Sequence, residues 1–181
     1  MSDQFSMVER HIAQLLSEFP RLKSFIKLSY TRAAYYLGGG RRSSKMATRV
    51  APLRVGPDDA ETFFGYYDKS PLSEHGWLLC HVARHPTTQP PQATRTIALQ
   101  VYDFNSHELE RPALSIDSHC YNWQQGTRAQ WLNGDHFIFN DFDKKQQRYI
   151  SRVYCVPERC EVSRYDYPVQ DSWGRDYFLS L

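Results

Sequence analysis

Two stretches of this chain carry more polar and aromatic side chains than a simple strand needs. The first is Phe63-Phe64-Gly65-Tyr66-Tyr67-Asp68-Lys69-Ser70-Pro71; the second is Asn122-Trp123-Gln124-Gln125-Gly126-Thr127-Arg128-Ala129-Gln130-Trp131, followed by Phe139-Asn140-Asp141. Tyr66, Tyr67, Trp123 and Trp131 offer flat apolar faces, while Asp68, Gln124, Gln125, Asn140 and Asp141 offer hydrogen-bonding groups. Large aromatics beside a few convergent polar groups suit a polyhydroxylated ligand such as a sugar. Lys69 and Arg128 can pair with a uronate or a phosphate. The plainer alternative is that the aromatics pack between strands and that Asp68 and Asp141 hydrogen-bond turns. Asp68 and Asp141 could also act as a carboxylate pair, but sequence gives no separation between them.

No further group stands out as catalytic. The 7 histidines do not cluster: His75 and His107 fall in turns, and His81, His85 and His119 have no diagnostic spacing. G-x-S-x-G, H-E-x-x-H and a cysteine-nucleophile motif are all missing. Cys80, Cys120, Cys155 and Cys160 form no C-x-x-C and have no histidines at zinc spacing, so no metal ligand is assigned and the thiols are expected to be reduced. Gly38-Gly39-Gly40-Arg41-Arg42-Ser43-Ser44-Lys45 lacks the spacing and the strand–helix setting of a phosphate-binding loop. It reads as a basic linker.

The elements that position these residues are mainly strands. The 12 Tyr, 10 Phe and 4 Trp bring the aromatic share to 14%, which favours pleated, half-buried surfaces. Strands are expected at Trp77 to Val82, Thr96 to Phe104, His136 to Asn140, Arg148 to Val156 and Tyr177 to Leu181, with hairpin turns at Asn105 to Glu108 and Pro157 to Cys160. A polar turn with Gly, then an apolar strand, recurs at Ser73 to Leu79, Leu132 to Ile138 and Ser172 to Phe178. The turn glycines Gly76, Gly134 and Gly174 lie about 58 and about 40 residues apart, near the period of a four-stranded propeller blade. A Pro/Thr/Gln-rich loop at 85–94 accounts for the longer spacing. The fold class is therefore mainly β: a partial β-propeller of about two to three four-stranded blades over 61–181, preceded by an N-terminal amphipathic helical segment. A β-sandwich is the competing architecture. Since a ring of blades needs more neighbours than these, the chain is expected to be an N-terminal fragment of the functional domain.

Residues 1–37 form the helical leader and 38–60 a basic Gly/Ser linker. Ile12, Leu15, Leu16, Phe19, Leu22 and Ile26 recur at helical steps, interrupted by Pro20. Up to residue 50 there are 9 Lys/Arg against 3 acids, whereas the remainder has 13 against 17. Arg21, Lys23, Lys27 and Arg32 beside Phe25, Leu28, Tyr30, Tyr35 and Tyr36 are what a membrane-surface helix contains; a helix docked on its own domain would look similar. No secretory signal is expected from the opening Met-Ser-Asp-Gln, and no apolar run approaches the length needed to span a bilayer. A cytoplasmic protein, peripheral at an inner membrane if the leader binds lipid, is the expectation. No nucleic-acid module is present.

The run F-F-G-Y-Y-D-K-S-P with its S-x-x-G turn, then W-Q-Q-G-T-x-x-Q-W-L and F-N-D, resembles a family of bacterial propeller proteins found with polysaccharide genes and often labelled glycosyltransferases. It is distantly similar to oligogalacturonate lyases and TolB-type propellers. The likeness covers about residues 61–181. It implies a propeller that binds or processes a bacterial polysaccharide or its precursor, with a carbohydrate or sugar-phosphate ligand. The lyase likeness implies a metal-dependent enzyme acting on uronate oligosaccharides, with a divalent metal held by histidines that this chain does not supply. A non-catalytic interaction propeller is the remaining reading. The Rossmann-like domain usual in nucleotide-sugar enzymes is not visible here.

Overall fold

A computed structural model describes residues 19–38, 50–65, 67–88, 92, 94–106, 109–122 and 124–180. They fall into two compact units, one up to Pro52 and one from Leu53. In the first, α1 (Pro20–Leu37) begins at the proline expected to interrupt a longer helix. Proline suits a first helical position, where its missing N–H leaves no bond unmade. Ile12, Leu15 and Leu16 lie outside the described residues, as does most of the Gly/Ser-rich linker.

The second unit is mainly β, with three antiparallel sheets. β1 (Glu61–Phe63), β2 (Trp77–Ala83), β3 (Ile97–Asp103) and β4 (Leu114–Ser118) form a sequential four-stranded meander. β5 (Gln130–Trp131), β6 (His136–Asp143), β7 (Arg148–Cys155) and β8 (Cys160–Tyr165) form another. β9 (Asp171–Trp173) and β10 (Tyr177–Leu179) pair as a hairpin. The turn expected at Asn105 to Glu108 is part of a longer β3–β4 connection that opens with a short 3-10 turn, Phe104–Ser106.

Period-two alternation decides what each sheet faces. Leu79, Leu99, Val101 and Ile116 of the first sheet meet Phe137 and Phe139 of β6, with Ala129 and Val156, in the main core. Cys80, Val82 and Tyr102 point the other way and are covered by Val55, Ala60 and Leu109. Residues 53–60, assigned from sequence to the linker, thus fold with the first sheet, and Gly56 N–H donates to the Leu109 carbonyl at 3.2 Å. On the far face of β6, Ile138 packs with Val153, Val169 and Phe178. One strand therefore joins two cores.

The glycine turns also meet. His75 lies against Gly134, where an added Cβ would come within 2.6 Å of the imidazole ring. Asp135 accepts hydrogen bonds from His75 Nδ1 at 2.9 Å and from Trp77 Nε1 at 3.0 Å. The Asp135 carboxylate raises the His75 pKa above 6.5, and His75 together with Trp77 holds Asp135 below 3.8. The histidine's contribution to stability is full below its unfolded value and fades as pH rises through its raised folded value; the aspartate's is lost as pH falls below 3.8. The melting-temperature gap between the native chain and His75→Gln is therefore expected to be wider at about pH 5 than at about pH 8.5. An equal gap at both would refute the pairing. Since His75 is well exposed, the effect is small.

Candidate functional site

The two motifs lie on separate sheets yet close on each other through their glycines. Gly65, with φ of 126°, sits so near the second motif that a Cβ there would come within 2.9 Å of the Gln125 carbonyl oxygen. Gly126, with φ of 58°, lies against the His81 ring. His81 is fully buried and stacks on Phe63 at 5.1 Å between ring centroids. Its Nε2 accepts the Thr127 N–H at 3.0 Å and lies 2.9 Å from Thr127 Oγ1. Nδ1 therefore carries the proton, and it has no aligned partner. Burial drives the imidazole pKa down to about 4, against the pull of the Phe63 and Phe64 backbone. A histidine that stays neutral and sealed is an anchor for the two motifs and not a proton shuttle.

Asn122 to Gly126 forms a tight loop, its ends paired by reciprocal backbone bonds. Asn122 Oδ1 accepts the N–H groups of Gln124 and Gln125 at 2.9 and 2.7 Å, an Asx turn of the kind asparagine favours. The loop delivers Arg128 in the left-handed region at φ of 59°, uncommon for a residue with a side chain. Arg128 then donates to both oxygens of Asp68, at 3.4 and 3.3 Å, and through Nε to the Gln170 carbonyl at 2.9 Å. Lys69 pairs with Asp171, which holds that carboxylate below the usual range. Gln130 Oε1 accepts the Ser172 hydroxyl at 2.8 Å.

Segments opening all three sheets thus contribute to one polar cluster of alternating charge. Beside it lies a cleft of about 210 Å³ lined by Lys69, Ser70, Ser73, Glu74, Gln130 and Asn133, with Trp131 as an aromatic wall. Trp131 is held in place by an Nε1 bond to the Pro71 carbonyl at 2.9 Å and an edge contact with Phe137. A larger groove, about 430 Å³, lies on the outer face of the first sheet. Arg54 is the one charged side chain in its lining, and it takes in none of the polar groups singled out by the motifs.

The structure brings Asp68, Lys69 and Arg128 together and separates others. Asn140 clamps the Val169 backbone through two bonds, at 2.9 and 2.6 Å. Asp141 is buried and binds the N–H groups of His119 and Phe142 and the Arg152 guanidinium, all at 2.8–2.9 Å. It shares no partner with Asp68, and the arrangement does not make the two a working carboxylate pair. Tyr67 is 86% exposed. Tyr66 and Trp123 lie outside the described residues. Asp171, Gln130 and Ser172 joined the cluster without being anticipated. The signal was present, since Gln130 lies inside the second motif and Asp171 opens the third repeat. Among the described residues no group of three or more His, Cys, Asp or Glu is arranged as metal ligands would be. Compared with models of protein families, with curated proteins and with solved structures, the chain matches none.

Proposed function

We propose that the two meanders are successive blades of a β-propeller, that the β9–β10 hairpin opens the next, and that the cleft between the opening segments binds a carbohydrate of the kind found in bacterial polysaccharides or their precursors. One observation carries this reading: Lys69 and Ser70 of the first motif and Gln130 and Trp131 of the second, about 60 positions apart, line one small polar cleft beside the Asp68–Arg128 pair. Arg128, Asp68, Lys69 and Asp171 are each already paired, so their charges are balanced. Groups whose geometry is locked this way retain acceptor and donor capacity without attracting bare ions, which suits the hydroxyl array of a sugar. The polysaccharide-gene family suggested by the motifs fits the same ligand class.

Calorimetric titration of the full chain with neutral and uronic oligosaccharides tests this. Binding should weaken about 10- to 100-fold in Lys69→Ala, the worth of hydrogen bonds to a charged group, and less in Asp68→Ala or Arg128→Ala, whose side chains stand beside the cleft. Folding should be little affected in Asp68→Ala, whose carboxylate is 36% exposed, and more affected in Arg128→Ala, whose guanidinium is 11% exposed and also binds the Gln170 carbonyl. Absence of any sugar, uronate or nucleotide-sugar binding by the native chain would refute the proposal.

A further inference from the structure

α1 carries Arg21, Lys23, Lys27 and Arg32 and not one acidic residue between Pro20 and Leu37. At 3.6 residues per turn, Leu22, Phe25, Ile26, Tyr30, Tyr36 and Leu37 fall on one arc of about 140°, with only Ser29 and Ala33 between them. Each of those six side chains is at least 45% exposed. Arg21 and Arg32 lie along one edge of the arc, and Lys23 and Lys27 along the other. The apolar strip is therefore bordered by cations on both sides.

The helix ends add a second observation. The first turn contains Arg21 and Lys23 where the backbone dipole favours acids, the last turn has no base, and Phe19 gives no side-chain cap. Local helix energetics do not account for this placement; an external negative charge does. A groove on another protein could cover the apolar strip, but it would have to supply acids along both margins. A plane of lipid phosphates meets both at once, with the basic stems lying along the strip and their heads reaching outward. No described helix is long and apolar enough to cross a membrane, so the helix would lie in the surface and not pass through it.

We infer that α1 is an in-plane anchor for an anionic lipid surface, with the Leu22–Phe25–Ile26 face inserted and the four cations at headgroup level. This is independent of the carbohydrate reading. The full chain is sedimented with vesicles of phosphatidylcholine alone and of phosphatidylcholine with one quarter phosphatidylserine. Binding is expected to be at least about tenfold tighter on the anionic vesicles and to fall steeply with added salt. Ile26→Glu should abolish it, and Lys23→Gln with Lys27→Gln should lower it about tenfold. Ser24→Gln with Thr31→Gln, on the opposite face, should leave it unchanged. Near-ultraviolet dichroism reports in parallel that the β unit of each variant is intact. Equal binding to both vesicle types, or undiminished binding by Ile26→Glu, overturns the proposal. So does self-association without vesicle binding that Ile26→Glu removes, which would assign the strip to a second copy of the chain.

Discussion

Replacing Asp141 with alanine is expected to destabilise the protein by about 3–5 kcal/mol, the usual result of leaving one member of a buried ion pair alone. The carboxylate satisfies four partners at once: the backbone N–H groups of His119 and Phe142, the guanidinium of Arg152 and, at 3.4 Å, the Ser118 hydroxyl. Its side chain is 9% exposed and that of Arg152 15%, so water cannot readily take over. Arg152 would keep Glu161, at 2.7 Å, and its position over the Phe139 and Tyr154 rings. The two N–H groups would have nothing. Against a total stability of about 5–15 kcal/mol for a domain, this is a large share. It corresponds to a fall in melting temperature of roughly 10–20 °C for a unit of this size. Urea unfolding checks it, with Asp68→Ala as the contrast, because the Asp68 carboxylate is 36% exposed against 9% for Asp141 and its bonds to Arg128 are longer, at 3.3 and 3.4 Å. If the Asp141 variant loses less than about 1 kcal/mol, as exposed pairs do, the network contributes little.

The second large effect is expected from Gly126→Ala. A Cβ there would stand 2.4 Å from His81 Cε1, 2.6 Å from Nε2 and 2.8 Å from Nδ1. The ring cannot step aside, since Phe63 stacks on it and Thr127 holds its nitrogen. Two costs add: about 1–2 kcal/mol for a side chain in the left-handed region and about 1–3 kcal/mol for overpacking. Gly174 separates them. It has φ of 56°, nearly the same backbone, but its added Cβ would have its nearest neighbour at 3.9 Å. Gly174→Ala should therefore show the backbone cost alone. In denaturant titrations the difference between the two variants measures the clash, and equal losses would mean that His81 moves. Combining Gly126→Ala with His81→Ala should destabilise less than the sum of the single changes.

The strands that could be read from sequence were those with long apolar alternation. Trp77 to Val82 and Arg148 to Val156 differ from the observed β2 and β7 by one residue at one end. β6 runs on to Asp143, three residues beyond the expected end, because Asn140 to Asp143 are polar or mixed and are held by pairing with Arg148 to Ser151. β1, β5 and β9 have two or three residues each, too few for periodicity to register. They were visible only as positions in a repeat. The site was half legible. Asp68, Lys69 and Arg128 stood out by type, but nothing in their spacing showed that they would pair across sheets and recruit Asp171. Asp141 looked equally polar in sequence. Its role in the core depends on Arg152, the register partner of Phe139, reaching it diagonally from β7.

The irregularity in β7–β8 has a consequence for how this sheet tolerates change. Val153 faces Ser163, but Tyr154 faces Glu161, so Val162 is an extra residue in β8. Were Val162 paired regularly, Glu161 and Arg164, three positions apart, would point to opposite sides; the bulge brings them to one. With it, Arg164 Nε reaches Glu161 at 2.7 Å, and the same carboxylate separates Arg164 from Arg152, which stand directly opposite each other. The bulge thus absorbs Val162 while keeping both side chains on one face. Excising that single codon would leave Glu161 and Arg164 two positions apart and still on one side, with the carboxylate still between the two guanidinium groups.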